Sequence, residues 1–370
     1  MRYSSDAVKV DENEDSGKGM RETIVIKVDV RKPPLDKIRV AAKVIREGGT
    51  VAFPTETVYG LGADALNSEA VRKIFLAKKR PPDNPVIIHV ADKEEVYRLA
   101  RKVPKEAVKL MEKFWPGPLT LILKAADLVP RITTAGLDTV AIRMPSHEVA
   151  LALIRESETP IAAPSANIAG KPSPITADHV MEDLYGRIDL ILDAGPSNVG
   201  VESTVLDMTV DPPQILRAGG TTYEELKETL GRVELHPAIV SGEVEVSHPP
   251  SPGMKYRHYL LDVEVVVVEG EPDAIERKVQ ELADLYRREG KKVGIMATDE
   301  SVSTYTADVV KSLGRREDLE TIAKNLFTLL RELEKEKVDI IIAEGVAPKG
   351  LGLAVINRLR KAAGFNVIKV

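Results

Sequence analysis

Apolar positions along the chain alternate between short runs of period two and longer segments with a stripe every three to four residues, the signature of strands exchanging with helices. ETIVIKV, TVAF from Thr50 and PVIIHV from Pro85 predict strands, with helices over Leu35 to Glu47 and Ser68 to Arg80 between them. LTLILK, TVAIRM, PIAA, LILDAG, STVLDM and QILR predict more strands, several joined too closely for a crossover helix. The sheet must therefore contain antiparallel pairs. Near His236 the periodicity stops, and HPAIVSGEVEVSHPPSPGMKYRHY carries four prolines and two glycines. A stretch that long is a tether or a functional cover. Beyond it VEVVVV, KKVGIMAT, VDIIIAEGV and NVIKV alternate with helices near Pro272 to Arg288, Glu317 to Glu334 and Gly352 to Ala363. That repeat predicts a small parallel, Rossmann-like unit.

The expected fold class is α/β: a twisted mixed parallel and antiparallel sheet domain with helices, followed by a smaller Rossmann-like parallel domain. The expected limits are a disordered acidic tail over 1–20, a first domain over 21–235, a linker and lid over 236–261, and a second domain over 262–370. A chain of 370 residues with 43% hydrophobic positions can fill two cores. No apolar run approaches the roughly 18 to 20 residues that cross a bilayer. The first residues are polar and acidic, unlike a signal or transit peptide, so a cytoplasmic protein without membrane attachment is expected, with Met20 as an alternative start. The absence of cysteine excludes disulfides, thiolate zinc sites and thiol nucleophiles. A net charge of −5 argues against a general nucleic-acid binder.

Five segments carry candidate chemistry. The stripe Val71, Ile74, Phe75 continues onto Lys78, which puts a cation on a buried helix face beside Lys79 and Arg80. Such a group either clamps phosphate oxygens or offsets the helix dipole. In TVAIR, period two places Thr139, Ala141 and Arg143 on one face, so the guanidinium serves a carboxylate or phosphate, or a surface salt bridge. His89 lies in a strand apolar on both faces and points into a core or a pocket. After the strand PIAA, Ser165 and Asn167 in APSANIAGKPSP expose donors at a strand end, without the GxSxG elbow of a serine hydrolase. Thr55 and Thr57 follow TVAF in the same way. GVAPKGLG, from Gly345, matches no phosphate-binding loop.

PTETVYGLG, AKKRPPDNP, WPGPLT, DTVAIRMP, APSANIAGKPSP, ESTVLD and ILRAGG occur in the order of the YrdC/Sua-five family, and SPGMKYRHY with NRLRKAA resembles its longer two-domain type. The resemblance spans nearly the whole chain. It implies a nucleotidyltransferase that joins L-threonine, CO2 or bicarbonate, and ATP with Mg²⁺, giving threonylcarbamoyl-AMP and pyrophosphate. The product would pass to a transferase complex for the t6A modification at position 37 of ANN-decoding tRNAs, with direct tRNA contact left open. The family's K-x-R and S-x-N signature falls on Lys78, Arg80, Ser165 and Asn167. By the same resemblance Thr57, His89, Arg143, Ala163 and Ser203 would line a threonine site, and Arg80, Asn84, Thr139, Ser165, Ser173 and Arg217 would hold ATP, with Tyr256 closing over it. No metal ligands are implied in the protein. The competing reading is a non-catalytic RNA-binding module on a basic concave sheet, which an aromatic content of 4% weakens. Carbamoyl-adenylate chemistry of the hydrogenase-maturation type fits poorly, because those proteins carry cysteine zinc motifs.

Overall fold

The computed structural model describes residues 22–240 and 259–370. Two sheets organise them. The first contains β1 (Ile24–Lys27), β2 (Val51–Phe53), β3 (Gly60–Asp64), β4 (Ile87–His89), β5 (Ala100–Lys102), β6 (Leu119–Ala125), β7 (Thr139–Arg143), β8 (Ile161–Ala162), β9 (Leu190–Asp193), β10 (Thr204–Asp207), β11 (Gln214–Arg217) and β12 (Glu234–Leu235). Their order is β1-β9-β2-β3-β8-β4-β7-β6-β10-β11-β12, with β5 paired to β6. The helices are α1 (Leu35–Arg46), α2 (Ser68–Lys78), α3 (Val96–Leu99), α4 (Lys105–Phe114), α5 (Glu148–Ser157), α6 (Ala177–Leu184), α7 (Tyr223–Leu230), α8 (Pro237–Val240), α9 (Pro272–Arg288), α10 (Leu319–Lys335) and α11 (Gly352–Ala362). The second sheet holds β13 (Glu264–Glu269), β14 (Val293–Ala297), β15 (Val309–Ser312), β16 (Ile340–Glu344) and β17 (Val367–Lys369), in the order β15-β14-β16-β13-β17.

The mixed character expected from short joins is present. The pairs β2/β3, β3/β8, β4/β8, β6/β7 and β10/β11 are antiparallel, and β1/β9, β2/β9, β4/β7 and β6/β10 are parallel. Every pair in the second sheet is parallel, as its nearly continuous Val and Ile runs demand. One apolar core joins the halves, because Leu326, Phe327 and Val355 from α10 and α11 belong to the same cluster as Ile38 and Leu61.

Two expectations shift. Helix α2 ends at Lys78: Lys79 turns left-handed at φ 50°, and Arg80, restricted by the following Pro81, leaves the axis. The strands β3 and β15 and the helices α4 to α7 are added to the expected elements, and β3, GLGAD, has too little side chain to show a period. The segment 236–261, where the sequence predicts a linker and lid, contains α8 near its start and Tyr259 near its end, while residues 241–258, including Tyr256, lie outside the described residues. No helix among the described residues is long and apolar enough to cross a membrane.

Candidate active site

One face of the first sheet carries a hollow that is partly open to solvent. The parallel register of β4 and β7 puts His89 beside Arg143 at its centre. Arg143 is 3% exposed, and all its nitrogens meet protein groups. Nε donates to Gly117 O at 3.2 Å, Nη1 to Thr57 Oγ1 at 3.0 Å, and Nη2 lies 2.6 Å from Glu56 Oε1. The carboxylate that the sequence assigned to this arginine is thus partly supplied by Glu56. Thr55 Oγ1 donates to Val58 O at 2.6 Å and lies 2.9 Å from Thr57 Oγ1. The Thr57 hydroxyl must therefore donate to Thr55, and the guanidinium sets the direction of a relay of hydroxyls.

The WPGPLT segment fixes this corner. Trp115 Nε1 donates to Leu119 O at 2.7 Å and Gly117 N to Met144 O at 2.8 Å. A Cβ at Gly117 would sit 2.4 Å from Phe114 O, so no side chain fits there.

Lys78 is 2% exposed and takes a different place from a phosphate clamp. Its Nζ donates to Ser165 O at 2.5 Å and Asn167 O at 2.6 Å, behind the wall that the S-x-N segment forms. Burial and the charge of Arg80 hold its pKa well below the usual lysine value. The chain continues the mutual support, with Ala169 N donating to Lys78 O and Asn167 Nδ2 to Ile168 O and Lys171 O. Arg80 lines the hollow and donates from Nη2 to Asn84 O at 2.9 Å. Asn84 is fully buried behind the lining, and its side-chain amide finds no hydrogen-bond partner among the described residues.

On the opposite rim, Arg217 donates to Ser203 O and Ser203 Oγ, each at 3.0 Å. Ser203 Oγ lies 2.8 Å from Thr120 Oγ1. Glu202 accepts from Ser173 Oγ at 2.5 Å and Tyr259 OH at 3.0 Å.

Of the residues singled out in the sequence, Thr57, Arg80, His89, Arg143, Ala163, Ser165, Asn167, Ser173, Ser203 and Arg217 converge on this hollow. Lys78 and Asn84 stand behind it. Thr139 lies at the outer end of β7 opposite Lys124, on the face shared with Ala141 and Arg143. Sequence reasoning missed Glu56, Lys171, Glu202 and Tyr259. All four had a signal, since Glu56 lies in PTETVYGLG and Lys171 in APSANIAGKPSP, Glu202 opens ESTVLD and Tyr259 closes SPGMKYRHY.

The lining is electropositive: Arg80, Arg143, Lys171 and Arg217 face a single lining carboxylate, Glu202. Despite its burial, Glu202 is held down at about 2 by Arg358 and Arg217. His89 is pushed down to about 3 by burial and the charges of Arg143 and Arg217, so it is a neutral imidazole at physiological pH. Its buried Nδ1 has no partner among the described residues. No cluster of three potential metal ligands exists among the described residues.

His179 is likewise lowered to about 4, by burial and Arg331. For both histidines the folded value lies below the ordinary 6.5, so the unfolded chain binds the extra protons as pH falls through that range. Stability is therefore expected to drop steadily from pH 7 towards 4.5, with no histidine contribution above pH 7. Melting temperature by scanning fluorimetry measures this, and a rise on acidification from pH 7 to 5 would contradict it.

Two family models match the chain. One, described as telomere recombination, covers residues 43–219, and the other, described as threonylcarbamoyl-AMP synthase, C-terminal domain, covers residues 221–364. A threonylcarbamoyl-AMP synthase of Pyrococcus abyssi is 55% identical over 348 residues, spanning 94% of this chain and 100% of its own. The chain belongs to the YrdC/Sua5 family of threonylcarbamoyl-AMP synthases. A family member from Bacillus subtilis is 51% identical over 90% of this chain and 94% of its own. The crystal structure of P. abyssi Sua5 complexed with L-threonine superposes with a TM-score of 0.90 at 54% identity, covering 94% of this chain and 100% of that one. Membership in a family of synthases sets aside the non-catalytic RNA-binding reading.

Proposed function

We propose that the hollow joins L-threonine, CO2 or bicarbonate, and ATP into threonylcarbamoyl-AMP with release of pyrophosphate. The observation that carries this reading is the convergence of Arg80, Arg143, Lys171 and Arg217 on one cavity whose single lining carboxylate is neutralised by Arg358, with Glu56 and Asp183 behind the lining as partners of Arg143 and Lys171. A nucleotide's phosphates need that balance.

The chemistry asks little covalent work of the chain. A neutral threonine amine attacks CO2, and a carbamate oxygen then bonds to the α-phosphorus while the bond to the bridging oxygen breaks and pyrophosphate leaves with the electron pair. The protein contributes alignment and positive charge. Arg143 supplies the charge facing the amino acid, with the Thr57 hydroxyl aimed by it and neutral His89, Ala163 and Ser203 completing that side. A pocket for one methyl group would favour threonine over serine by about 1 to 3 kcal/mol. Arg80, Ser165, Ser173 and Arg217 serve the nucleotide, Asn84 holds Arg80 from behind through its carbonyl, and Thr139 and Tyr256 belong to the same half in this reading. Ile87, which belongs to a small apolar cluster with Ile122, Ala141, Val205 and Leu216, lines the hollow and offers the nucleotide an apolar contact. Mg²⁺ enters as part of the nucleotide substrate, because the lining carboxylate Glu202 is fully engaged with Arg358, Ser173 and Tyr259.

In this reading residues 21–235 carry the chemistry, the product is a labile mixed anhydride handed on in the cytoplasm to a t6A transferase complex, and tRNA contact is secondary. Incubation with ATP, Mg²⁺, bicarbonate and each amino acid in turn, followed by mass spectrometry, tests it. Threonylcarbamoyl-AMP formed with threonine is the expected product, and pyrophosphate release indifferent to the amino acid would refute the assignment.

A further inference from the structure

The NRLRKAA run lies on α11, in the second domain, yet one of its side chains reaches the wall of the hollow. Arg358 is 1% exposed. Its Nε donates to Glu202 Oε2 at 3.1 Å, Nη2 stands at 3.1 Å from the same oxygen, and Nη1 donates to Ala218 O at 2.6 Å. The other oxygen of Glu202 accepts from Ser173 and Tyr259, and the Tyr259 ring rests on Phe327 of α10, centroids 5.0 Å apart. From the same second domain, Arg331 donates from Nη2 to Pro172 O at 2.6 Å and to Asp183 Oδ2 at 2.7 Å, bracing the segment that ends in Ser173.

Glu202 thus lies between two guanidiniums, Arg358 bonded to it from behind and Arg217 bonded to the neighbouring Ser203 in the hollow. Arg217 hydrogen-bonds to Ser203, while Arg358 hydrogen-bonds to Glu202 and Ala218. A buried carboxylate released from Arg358 would turn to the nearest cation, and that cation faces the ligand.

We propose that Arg358 is a positioning residue for the nucleotide: it holds Glu202 from the second domain, keeps that carboxylate off Arg217, and fixes the Ser173 hydroxyl and Tyr259 at the cavity wall. The second domain is then a working part of the site. This rests on the ATP-binding reading given above, and its test is chosen to be independent of turnover.

The experiment is calorimetric titration of the full chain with MgATP and, separately, with threonine, for the wild type, Arg358→Met, and Arg358→Met combined with Glu202→Gln. Losing the partner of a buried charge should weaken ATP binding at least about tenfold in Arg358→Met, while threonine binding changes less than about twofold. Neutralising the competitor in the double variant should restore ATP affinity to within about threefold of wild type. A purely structural ion pair lowers the folded fraction without moving the ATP dissociation constant. Unchanged ATP affinity in Arg358→Met, or a double variant as weak as the single one, overturns the proposal. Should Arg358→Met not fold, Arg358→Lys keeps the charge and loses the fork, and wild-type ATP affinity in that variant overturns it equally. A wild type that binds ATP without making the adenylate counts against the proposed reaction and leaves this inference standing.

Discussion

Replacing Lys78 by alanine is expected to cut threonine-dependent pyrophosphate release at least about a hundredfold, the loss that follows when reacting groups shift by roughly an ångström. The ammonium binds two carbonyl oxygens of the Ser165–Asn167 segment, and that segment forms the wall on which Ser165 is presented. Without it, two buried acceptors lose their donor, at about 1 to 3 kcal/mol each. The wall then relaxes into the hollow. Steady-state pyrophosphate release, with circular dichroism as a control for folding, measures the effect. Near-normal turnover would show that the wall holds its shape without the lysine.

Arg143→Met is expected to remove activity and also to destabilise the fold by about 3 to 5 kcal/mol, because it strands the buried Glu56 carboxylate. The side chains of this pair are only 4% and 9% exposed, so water cannot rescue the lone charge. Adding Glu56→Gln should recover most of the stability and none of the activity, since the charge facing the substrate is still missing. Chemical denaturation of both variants, paired with adenylate formation, separates the two roles. A single variant as stable as wild type would mean that Glu56 finds another partner.

The sequence made the layout of the fold readable wherever period and apolar content were strong. The Val71, Ile74 and Phe75 stripe predicted that Lys78 would be buried, and it is. The period-two face of TVAIR put Arg143 with Ala141, and the sheet places both on the side of the hollow. What the sequence could not contain was the direction of a long side chain once buried. A helix stripe does not distinguish an ammonium turned to phosphate from one turned to backbone carbonyls, because both need the same burial. Nor does local pattern register charges that meet across great separations in the chain. Arg358 and Glu202 are 156 residues apart, and Arg143 and Thr57 are 86 apart. The SPGMKYRHY run pointed to Tyr256 over the nucleotide, which lies outside the described residues, and Tyr259 of the same run lines the hollow.

Gly117 leaves no room for any side chain, yet its carbonyl takes Arg143 Nε and its amide is tied to Met144. The seat of Arg143, at the amino-acid end in the proposed reading, is consequently main chain that carries nothing outward. A library that randomises only the inward-facing side chains would alter the shape and polarity of that end and leave this seat where it is. Moving the seat would require rebuilding the turn between α4 and β6.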